Sequence, residues 1–317
     1  MFLKTKRLLK TQIIVNPESN RGRTGKKWKQ IKEVLHNFFA EFKYEFTEKP
    51  CQAIELCRSA IKDGSELIIG VGGDGTMNEI ANGFFENQRI INPDSVLGVV
   101  PSGTGSDFSR SLNIPYSLFK SMKIISEAPS RHIDMGRIVY HNHEGKKEKR
   151  YFLNIADFGI GGEVVRKINQ ARLKRKASRY LFCLVSVVSA FKHKNLNIKI
   201  DRDVLPLEKY MIGAVSNGRI FGKGMKIAPY ARLDDGLFDI ILIKGMRLSD
   251  FFFNAWRLYF GKHLNHSKID WIRGKEILVD ASDRDNHALI EVDGEQLGRT
   301  PAKFTILPEK FPIRAFI

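Results

Sequence analysis

Two short glycine-rich segments, each containing one aspartate, are the parts of this chain best suited to chemistry. The first is Gly72-Gly73-Asp74-Gly75-Thr76, and the second is Pro101-Ser102-Gly103-Thr104-Gly105-Ser106-Asp107. Glycine permits positive φ and lets backbone amides approach an anion closely, so both segments are suited to phosphate. A carboxylate would repel that phosphate unless a cation lay between them. Asp74 therefore predicts a magnesium ion, bound directly or through water.

The residues after the first segment predict the start of a helix. Thr76-Met77-Asn78-Glu79 matches a capping box, which would point free amides and the positive end of the helix dipole at the same site. A strand-to-helix turn whose aspartate satisfies local amides is the simpler interpretation of one such segment. The second segment, around Gly103, favours the phosphate site.

Alternating apolar runs and helical patterns precede and separate these segments. Gln12–Val15, Leu67–Val71 and Val96–Val100 are short apolar runs, whereas Lys26–Phe42 and Cys51–Ile61 have helical spacing. This alternation is typical of an α/β domain with a parallel sheet. Ligands of such sheets bind at the carboxyl ends of the strands, where both glycine segments would lie. After about residue 134, β-branched and aromatic runs divided by turn signals predict a mostly antiparallel second domain.

Bulk composition restricts the class of protein and its partners. The chain has 317 residues, 43% of them hydrophobic, and a formal net charge of +17, which predicts a folded protein with an anionic partner such as nucleic acid, a bilayer or a phosphorylated substrate. Three cysteines predict no disulfide framework. We expect a cytoplasmic protein, because the start resembles no signal peptide and the apolar stretch 180–191 is shorter than the roughly 18 residues of a spanning helix.

GxxxxGK[ST] and a GxGxxG after a strand are both absent from the sequence, which argues against P-loop and Rossmann enzymes.

Taken together, the motifs resemble the diacylglycerol kinase catalytic superfamily, and its bacterial soluble lipid kinases in particular. The motifs run through nearly the whole chain: Asn16-Pro17, Gly72–Thr76 with Asn78-Glu79, Pro101–Thr104, Asp107-Phe108, Ile133–Gly136, Phe152–Asn154, Asn217-Gly218, Leu233–Asp239 and Val292–Glu295. The glycine turn alone is also similar to NAD kinases and phosphofructokinases. The sequence departs from the family at Asn20, where glycine is common, and at Ser106, where asparagine is common.

The resemblance implies a fold and a nucleotide site. Residues 1–135 would form an ATP-binding α/β domain with a parallel sheet like that of NAD kinase, with a last strand supplied by 306–317. Residues 136–305 would form a mostly antiparallel β-sandwich for the lipid substrate. ATP would lie between the two domains, lined by Asn16, Pro17, Glu18, Ser19, Asn20, Thr47, Gly72, Gly73, Asp74, Gly75, Thr76, Met77, Asn78, Glu79, Thr104 and Asp107.

The resemblance also implies metal and catalytic roles. Asp74, Asp107 and Asp134 would organise the active magnesium and its waters. Asp235, helped by the carbonyls of Arg232 and Leu237, is similar to a structural magnesium site, although Asp-Gly is itself a strong turn signal.

The proton acceptor implied by the family lies in the Val292–Glu295 motif. Glu295 is the family position and Asp293 a competitor, while a plain hairpin turn is what the Asp-Gly-Glu pattern alone favours. In phosphoryl transfer such a base only orients the hydroxyl and finally accepts its proton.

A basic segment predicts where the protein meets its substrate. Residues 165–200 contain ten lysines and arginines and no acidic residue. Arg172, Lys174, Arg175, Lys176 and Arg179 lead into the apolar run Leu181–Ala190. This pattern is suited to the anionic inner face of a membrane, to which the protein would bind peripherally, although a solvated basic face beside a core helix has the same pattern. The aromatic residues of Asp250–Phe260 would line an acyl groove or belong to the core.

Several functions stay open at this point. The first is ATP- and Mg²⁺-dependent phosphorylation of a lipid hydroxyl, with diacylglycerol converted to phosphatidic acid, and a sphingoid base or another lipid alcohol is an alternative acceptor. A NAD kinase-like phosphotransferase is a second class. A basic nucleic-acid or membrane-binding module is a third, but it would have no use for acidic groups at a phosphate site, so we expect no nucleic-acid partner. The sequence leaves a homodimer open.

Overall fold

A computed structural model describes residues 9–170 and 185–316 of the chain. The chain divides into two compact units. Unit 1 extends to His132 and resumes at Phe311, and unit 2 is Ile133–Lys310. Within the described residues, no helix is long and apolar enough to cross a bilayer.

Unit 1 is an α/β domain. Its strands are β1 (Thr11–Val15), β2 (Lys43–Phe46), β3 (Leu67–Gly72), β4 (Phe85–Glu86), β5 (Arg89–Ile90), β6 (Val96–Pro101), β7 (Ser130–Ile133) and, from the end of the chain, β19 (Phe311–Arg314). Its helices are α1 (Ser19–Lys26), α2 (Trp28–His36), α3 (Gln52–Lys62), α4 (Asp74–Gly83), α5 (Asp107–Ser111) and α6 (Leu118–Glu127). The main sheet has the order β2-β1-β3-β6-β19-β7. Its pairs β1–β2, β1–β3, β3–β6 and β6–β19 are parallel, which confirms the predicted α/β class.

The centre of this sheet is the apolar core of unit 1. Every residue of β3 and of β6 is buried, as expected for parallel strands covered on both faces. Gly70 allows α4 to pack closely on the sheet, since a Cβ at this position would lie 2.7 Å from the side chains of Met77 and Ile80. The carboxyl end of β3 and the start of α4 are therefore held rigidly together.

Unit 2 is mostly antiparallel. Its strands are β8 (Gly136–His141), β9 (Lys147–Phe152), β10 (Ile155–Gly159), β11 (Lys194–Ile200), β12 (Asp203–Val204), β13 (Glu208–Ser216), β14 (Phe238–Lys244), β15 (Ile269–Gly274), β16 (Glu276–Ala281), β17 (Leu289–Val292) and β18 (Glu295–Ile306). Its helices are α7 (Ile160–Gln170), α8 (residues 185–190) and α9 (Leu248–Phe260), with 3-10 turns at His263–Asn265 and Arg284–Asn286.

The large sheet of unit 2 folds back on itself. Its order is β12-β11-β16-β18-β17-β10-β13-β14-β15, β11 also pairs with β13, and β8 and β9 extend from β18. The closure encloses an aromatic core that includes Phe158, Phe238 and Phe304. Gly213 provides room for Phe158, because a Cβ there would lie 2.0 Å from the ring. The predicted β-rich antiparallel class is confirmed.

Candidate active site

Three loops of unit 1 begin at the same edge of its sheet. The register pairs Val15 of β1 with Val71 of β3, and Gly72 of β3 with Pro101 of β6. The Asn16 amide donates to the Val71 carbonyl at 3.0 Å, and the Ser102 amide donates to the Gly72 carbonyl at 2.7 Å. The loops that start at Asn16, Gly73 and Ser102 are thus fixed side by side, where a parallel sheet binds ligands.

The two glycine segments touch through their backbones. A Cβ on Gly103 would lie 2.5 Å from the Cα of Gly73, and one on Gly72 would lie 2.5 Å from the Thr76 hydroxyl. Gly73 has φ of −98°, a value open to any residue. At Gly73 the glycine is therefore required for close approach, and the expectation that positive φ is the reason does not apply there.

The start of α4 differs from the capping-box prediction, which was wrong. The helix begins at Asp74, after Gly73 as its N-cap. The predicted cap residues have other partners: Thr76 Oγ1 accepts a hydrogen bond from Asn16 Nδ2 at 3.0 Å, and Glu79 Oε2 accepts one from the Ala53 amide at 3.2 Å. The helix starts earlier because the Gly73 backbone already leads into it, so Glu79 is available to the first turn of α3.

Asp74 links the two glycine segments. Its Oδ1 accepts a hydrogen bond from the Phe108 amide at 3.0 Å, and its Oδ2 accepts one from the Asp107 amide at 3.1 Å. Burial raises the pKa of the Asp74 carboxyl, and the hydrogen bonds from the backbone amides act in the opposite direction. The side chain that sequence reasoning assigned to a cation also holds the start of α5 in place.

The acidic residues at this edge are suited to supply some of the ligands of a magnesium ion. Mg²⁺ in phosphate sites is usually held by one or two carboxylates, with phosphate oxygens and waters as the other ligands. Asp107, whose amide donates to Asp74, is itself buried at the start of α5. Among residues 9–170 and 185–316, no three His, Cys, Asp or Glu side chains converge to hold a metal unaided.

A chain of hydroxyl groups connects the first loop to the third. Ser19 Oγ lies 2.6 Å from Thr24 Oγ1, which lies 2.6 Å from Ser102 Oγ. Thr24 is 1% exposed. Between Ser19 and Thr24 the backbone is left-handed at three consecutive residues, Asn20, Arg21 and Gly22. Sequence analysis missed Thr24, because a lone hydroxyl in the short helix α1 carries no signal of its distant partner.

The remaining predicted nucleotide residues divide into two groups. Thr47 follows β2, where its amide donates to the Val15 carbonyl at 2.9 Å, and Thr104 is exposed beside Gly103. Met77 and Asn78 are buried in α4. Met77 packs against the sheet at Gly70, so its side chain points away from the loops. Pro17, Glu18 and Gly75 lie in the first loop and the first turn of α4.

In unit 2, Asp134 is a buried anchor for the loop after Leu233. Its Oδ1 forms an ion pair with Lys310 Nζ at 2.8 Å, and its Oδ2 accepts a hydrogen bond from the Gly236 amide at 2.7 Å. Its own amide donates to the Leu233 carbonyl at 2.6 Å. Asp134 thus has a built-in cationic partner, and its role at the active magnesium stays a prediction.

Asp235 has a cationic partner as well. Its Oδ1 accepts a hydrogen bond from the Leu237 amide at 3.1 Å, as in an Asx turn, and its Oδ2 forms an ion pair with Arg273. The Arg232 side chain pairs with Asp234 at 3.5 Å, which does not involve the carbonyl named in the prediction. The Asp235 carboxylate, which the resemblance assigned to structural magnesium, is therefore already paired with the Arg273 guanidinium. The magnesium role of Arg232, Asp235 and Leu237 stays a prediction.

The two candidates for the proton acceptor lie in different environments. Asp293 is buried, and its carboxylate accepts hydrogen bonds from the amides of Leu153, Asn154 and Ile155 at 3.0–3.2 Å. The Glu295 side chain is 36% exposed, and its Oε2 lies 3.2 Å from Arg150. Asp293 thus fixes the backbone of the turn, whereas Glu295 is accessible and held by an arginine.

A second buried carboxyl pair lies behind that turn. Asp157 on β10 and Glu291 on β17 are direct cross-strand neighbours. Burial raises the pKa of Asp157 to about 6. Glu291 Oε1 also accepts from the amide of Gly294, inside the predicted base motif. Sequence analysis missed this pair, since each acid stands alone in an apolar strand, and a lone acid in a buried strand is the signal that could have found it.

The predicted basic segment is described only in part. Arg172, Lys174, Arg175, Lys176 and Arg179 lie outside the described residues, as does the start of the apolar run Leu181–Ala190. In the described part of that run, Val187 and Val188 are buried in the core of unit 2.

Comparison with known proteins gives the following matches. The family description "Diacylglycerol kinase catalytic domain" matches residues 10–138, and "YegS C-terminal NAD kinase beta sandwich-like domain" matches residues 154–315. The chain is 26% identical to the diacylglycerol kinase of Staphylococcus carnosus (strain TM300) over 308 residues, which are 96% of this chain and 94% of that protein. It is 28% identical to the diacylglycerol kinase of Staphylococcus aureus (strain bovine RF122 / ET3-1) over 312 residues, 96% and 92% of the two chains.

A solved structure shares the fold. It is the crystal structure of a diacylglycerol kinase from Bacillus anthracis str. Sterne, with a TM-score of 0.71, 23% sequence identity and 98% coverage of each chain. At this level of identity the likeness supports the fold alone.

Proposed function

We propose that this chain phosphorylates the hydroxyl of diacylglycerol, giving phosphatidic acid. The chain belongs to the family that joins a diacylglycerol kinase catalytic domain to a YegS C-terminal domain. It is a lipid kinase that uses ATP. The observation that carries the proposal is the Asp74 carboxylate, held by amides of one glycine segment at the start of the other. That arrangement puts backbone amides and a buried acid at a single edge of the unit 1 sheet.

Unit 1 supplies what phosphoryl transfer requires of a protein. The reaction needs positioning and neutralisation of charge more than covalent chemistry. We propose that the Gly72–Thr76 and Pro101–Asp107 segments position the phosphates of ATP, and that Asp74 and Asp107 contribute the carboxylates for a magnesium ion. When bound, magnesium would neutralise charge on the phosphates. The hydroxyls of Ser19, Thr24 and Ser102 would hold the loop that starts at Asn16 against the loop that starts at Ser102.

Unit 2 would supply the proton acceptor, and we assign this role to Glu295. A base must be able to reach the substrate hydroxyl, and Glu295 is partly exposed, whereas Asp293 is buried under three amide bonds. Arg150, whose side chain is 12% exposed, would orient the Glu295 carboxylate. Asp293 would instead shape the turn that presents Glu295.

An acceptor screen tests this function. Purified protein, Mg²⁺ and γ-labelled ATP are mixed with diacylglycerol in micelles, with a sphingoid base in micelles, or with NAD in solution. Label in phosphatidic acid is the expected result. Label in the sphingoid base or in NADP alone would replace diacylglycerol with that acceptor, and the Asp74→Asn variant measures contamination by other kinases. NAD stays in the screen because the matched C-terminal domain is described as NAD kinase-like.

We also propose that the protein works as a peripheral protein at an anionic membrane surface. The formal net charge of +17 supports this, because anionic lipids attract basic surfaces by about 1 kcal/mol per cation near the bilayer. A homodimer stays a prediction that sedimentation analysis would decide.

A further inference from the structure

Helix α9 presents aromatic side chains to water. Phe253 is 77% exposed, Trp256 53% and Phe260 65%, at a spacing that places the three on one face of the helix. The rings of Trp256 and Phe260 are 5.9 Å apart. The opposite side is anchored in unit 2, where Phe251 and Leu258 pack into the core. The core alternative therefore describes Phe251 but not these exposed rings, and the acyl groove stays a prediction.

The exposed aromatic surface continues beyond the helix. The C-cap Gly261 lies against Pro229, since a Cβ on Gly261 would be 2.9 Å from the Pro229 side chain. The next residue, Tyr230, is 63% exposed and its ring lies 5.1 Å from that of the partly exposed Trp271. We name the set Phe253, Trp256, Tyr259, Phe260 and Tyr230 the aromatic face. Isolated exposed rings are ordinary, but a set of this kind marks a binding surface.

The charge around the aromatic face is basic. Arg257 lies 5.8 Å from the Trp256 ring. Residues 247–268 contain four lysines and arginines and one acid, Asp250, and residues 219–232 contain four lysines and arginines and no acid. The surface thus combines amphipathic rings with positive charge.

We propose that the aromatic face is a membrane-docking surface, which inserts its rings among the headgroups of an anionic bilayer. Tryptophan and tyrosine favour the boundary between water and hydrocarbon, and basic residues beside them attract anionic lipids. The choice of a bilayer as the partner rests on the proposed function, because a kinase of diacylglycerol meets its substrate there. Single-stranded nucleic acid also binds rings beside cations, and the test includes it as an outcome.

Vesicle binding tests the docking surface. Full-length protein is sedimented with phosphatidylglycerol/phosphatidylcholine vesicles, alongside the Trp256→Ser/Phe260→Ser double variant. We expect the partition coefficient of the double variant to fall about tenfold or more, since two half-exposed aromatic side chains no longer enter the interface. Phe119→Ser is the matched control, because Phe119 in unit 1 is 57% exposed, and it should bind as the unchanged protein does. Equal binding by all three proteins would overturn the proposal.

Fluorescence gives a second measurement that does not depend on a disruptive variant. The chain has three tryptophans, and Trp28 is buried in unit 1. Adding vesicles should shift the emission of the unchanged protein to the blue, and Trp256→Phe should remove most of the shift. A shift that persists fully in Trp256→Phe would contradict insertion at α9.

Two further arms separate this inference from the proposed function. On a short-chain diacylglycerol dissolved in water, the double variant should phosphorylate as fast as the unchanged protein, whereas on vesicles it should be slower. Absence of transfer to every lipid, together with vesicle binding that depends on the aromatic face, would remove the function and keep the surface. Oligonucleotide binding that is lost in the double variant, with vesicle binding retained, would make nucleic acid the partner and overturn the proposal.

Discussion

The acids predicted to bind magnesium have different partners in the two units. In unit 1, the carboxylate of Asp74 is held by backbone amides, which carry no net charge. In unit 2, Asp134 and Asp235 form ion pairs with Lys310 and Arg273. A buried carboxylate held only by dipoles gains from a cation supplied by a ligand, whereas one with an arginine or a lysine already has its cation. The difference gives a way to test the predicted magnesium role of each acid by mutation.

The largest effect is expected from Asp74→Asn, which removes the charge but keeps the shape. The variant should lose about 10²–10³-fold in kcat, comparable to the loss of one electrostatic contact to the reacting group. One of the two Asp74 oxygens that accept hydrogen bonds from backbone amides is lost, which costs about 1 kcal/mol of folding free energy. A desolvated charge is removed as well, so the fold should persist. Activity is measured with diacylglycerol micelles and folding by circular dichroism. Asp94→Asn, an exposed carboxylate of the same unit, is the control, and a rate near that of the unchanged protein for Asp74→Asn would remove the metal role from Asp74.

A smaller effect is expected from Arg273→Met, which would make the Asp235 loop resemble the unit 1 site. Arg273 pairs with Asp235 and lies 3.9 Å from the buried Asp239, whose pKa is raised by burial. Without the guanidinium, two nearby carboxylates lack their cation. We expect the Tm to fall by about 2–4 °C, as for a loss of about 1 kcal/mol in a partly exposed pair, and Mg²⁺ to restore part of it.

Calorimetry in EDTA and in Mg²⁺ checks this comparison. The unchanged protein should have the same Tm in both, and Arg273→Met should differ between them. Arg202→Met, an exposed arginine in unit 2, controls for the loss of surface charge. A Tm that drops in EDTA equally for the unchanged protein and for Asp74→Asn would show that the loop binds magnesium despite Arg273, as the resemblance implied.

The fold could be predicted where apolar runs are continuous. β3 and β6 are buried along their whole length, so their sequences contain the signal. The edge strand β2 was missed, and the helix predicted over Lys26–Phe42 ends at His36. All four residues of β2 are exposed, and the Trp28 ring lies 5.0 Å from that of Tyr44. An edge strand that pairs only with β1 among the described strands and is otherwise exposed leaves no apolar run in its own sequence.

The site could be predicted less fully than the fold. Motifs identified Asp74, Asp107 and the glycines, because those residue types are rare at the end of a buried strand. They could not show that Asp74 contacts amides 33 and 34 residues away, since every residue except proline has such an amide. Nor could they show that Arg273 on β15 lies beside Asp235, a loop residue 38 positions earlier in the chain. Long-range partners of this kind depend on the sheet topology, which residue types do not encode locally.

The smallest effect is expected at the Asp157–Glu291 pair, where two buried acids are direct cross-strand neighbours. Because the pKa of Asp157 is raised to about 6 in the folded protein, the folded state holds a proton between about pH 4 and pH 6 that the unfolded chain releases. The free energy of unfolding should therefore decrease as the pH rises through this interval. Asp157→Asn has no proton to lose and should show a smaller decrease.

The measurement is the difference between the Tm at pH 5 and at pH 7.5. We expect this difference to shrink by about 2–4 °C in Asp157→Asn, the equivalent of roughly one pKa unit. Asp203→Asn, an exposed carboxylate of unit 2, should leave it unchanged. An equal pH dependence in Asp157→Asn and the unchanged protein would mean that the pair is ionised throughout, and a cationic partner would then have to be sought for it as for Asp134. If the slope does shrink, Asp157 carries the proton that the folded state holds in this pH interval.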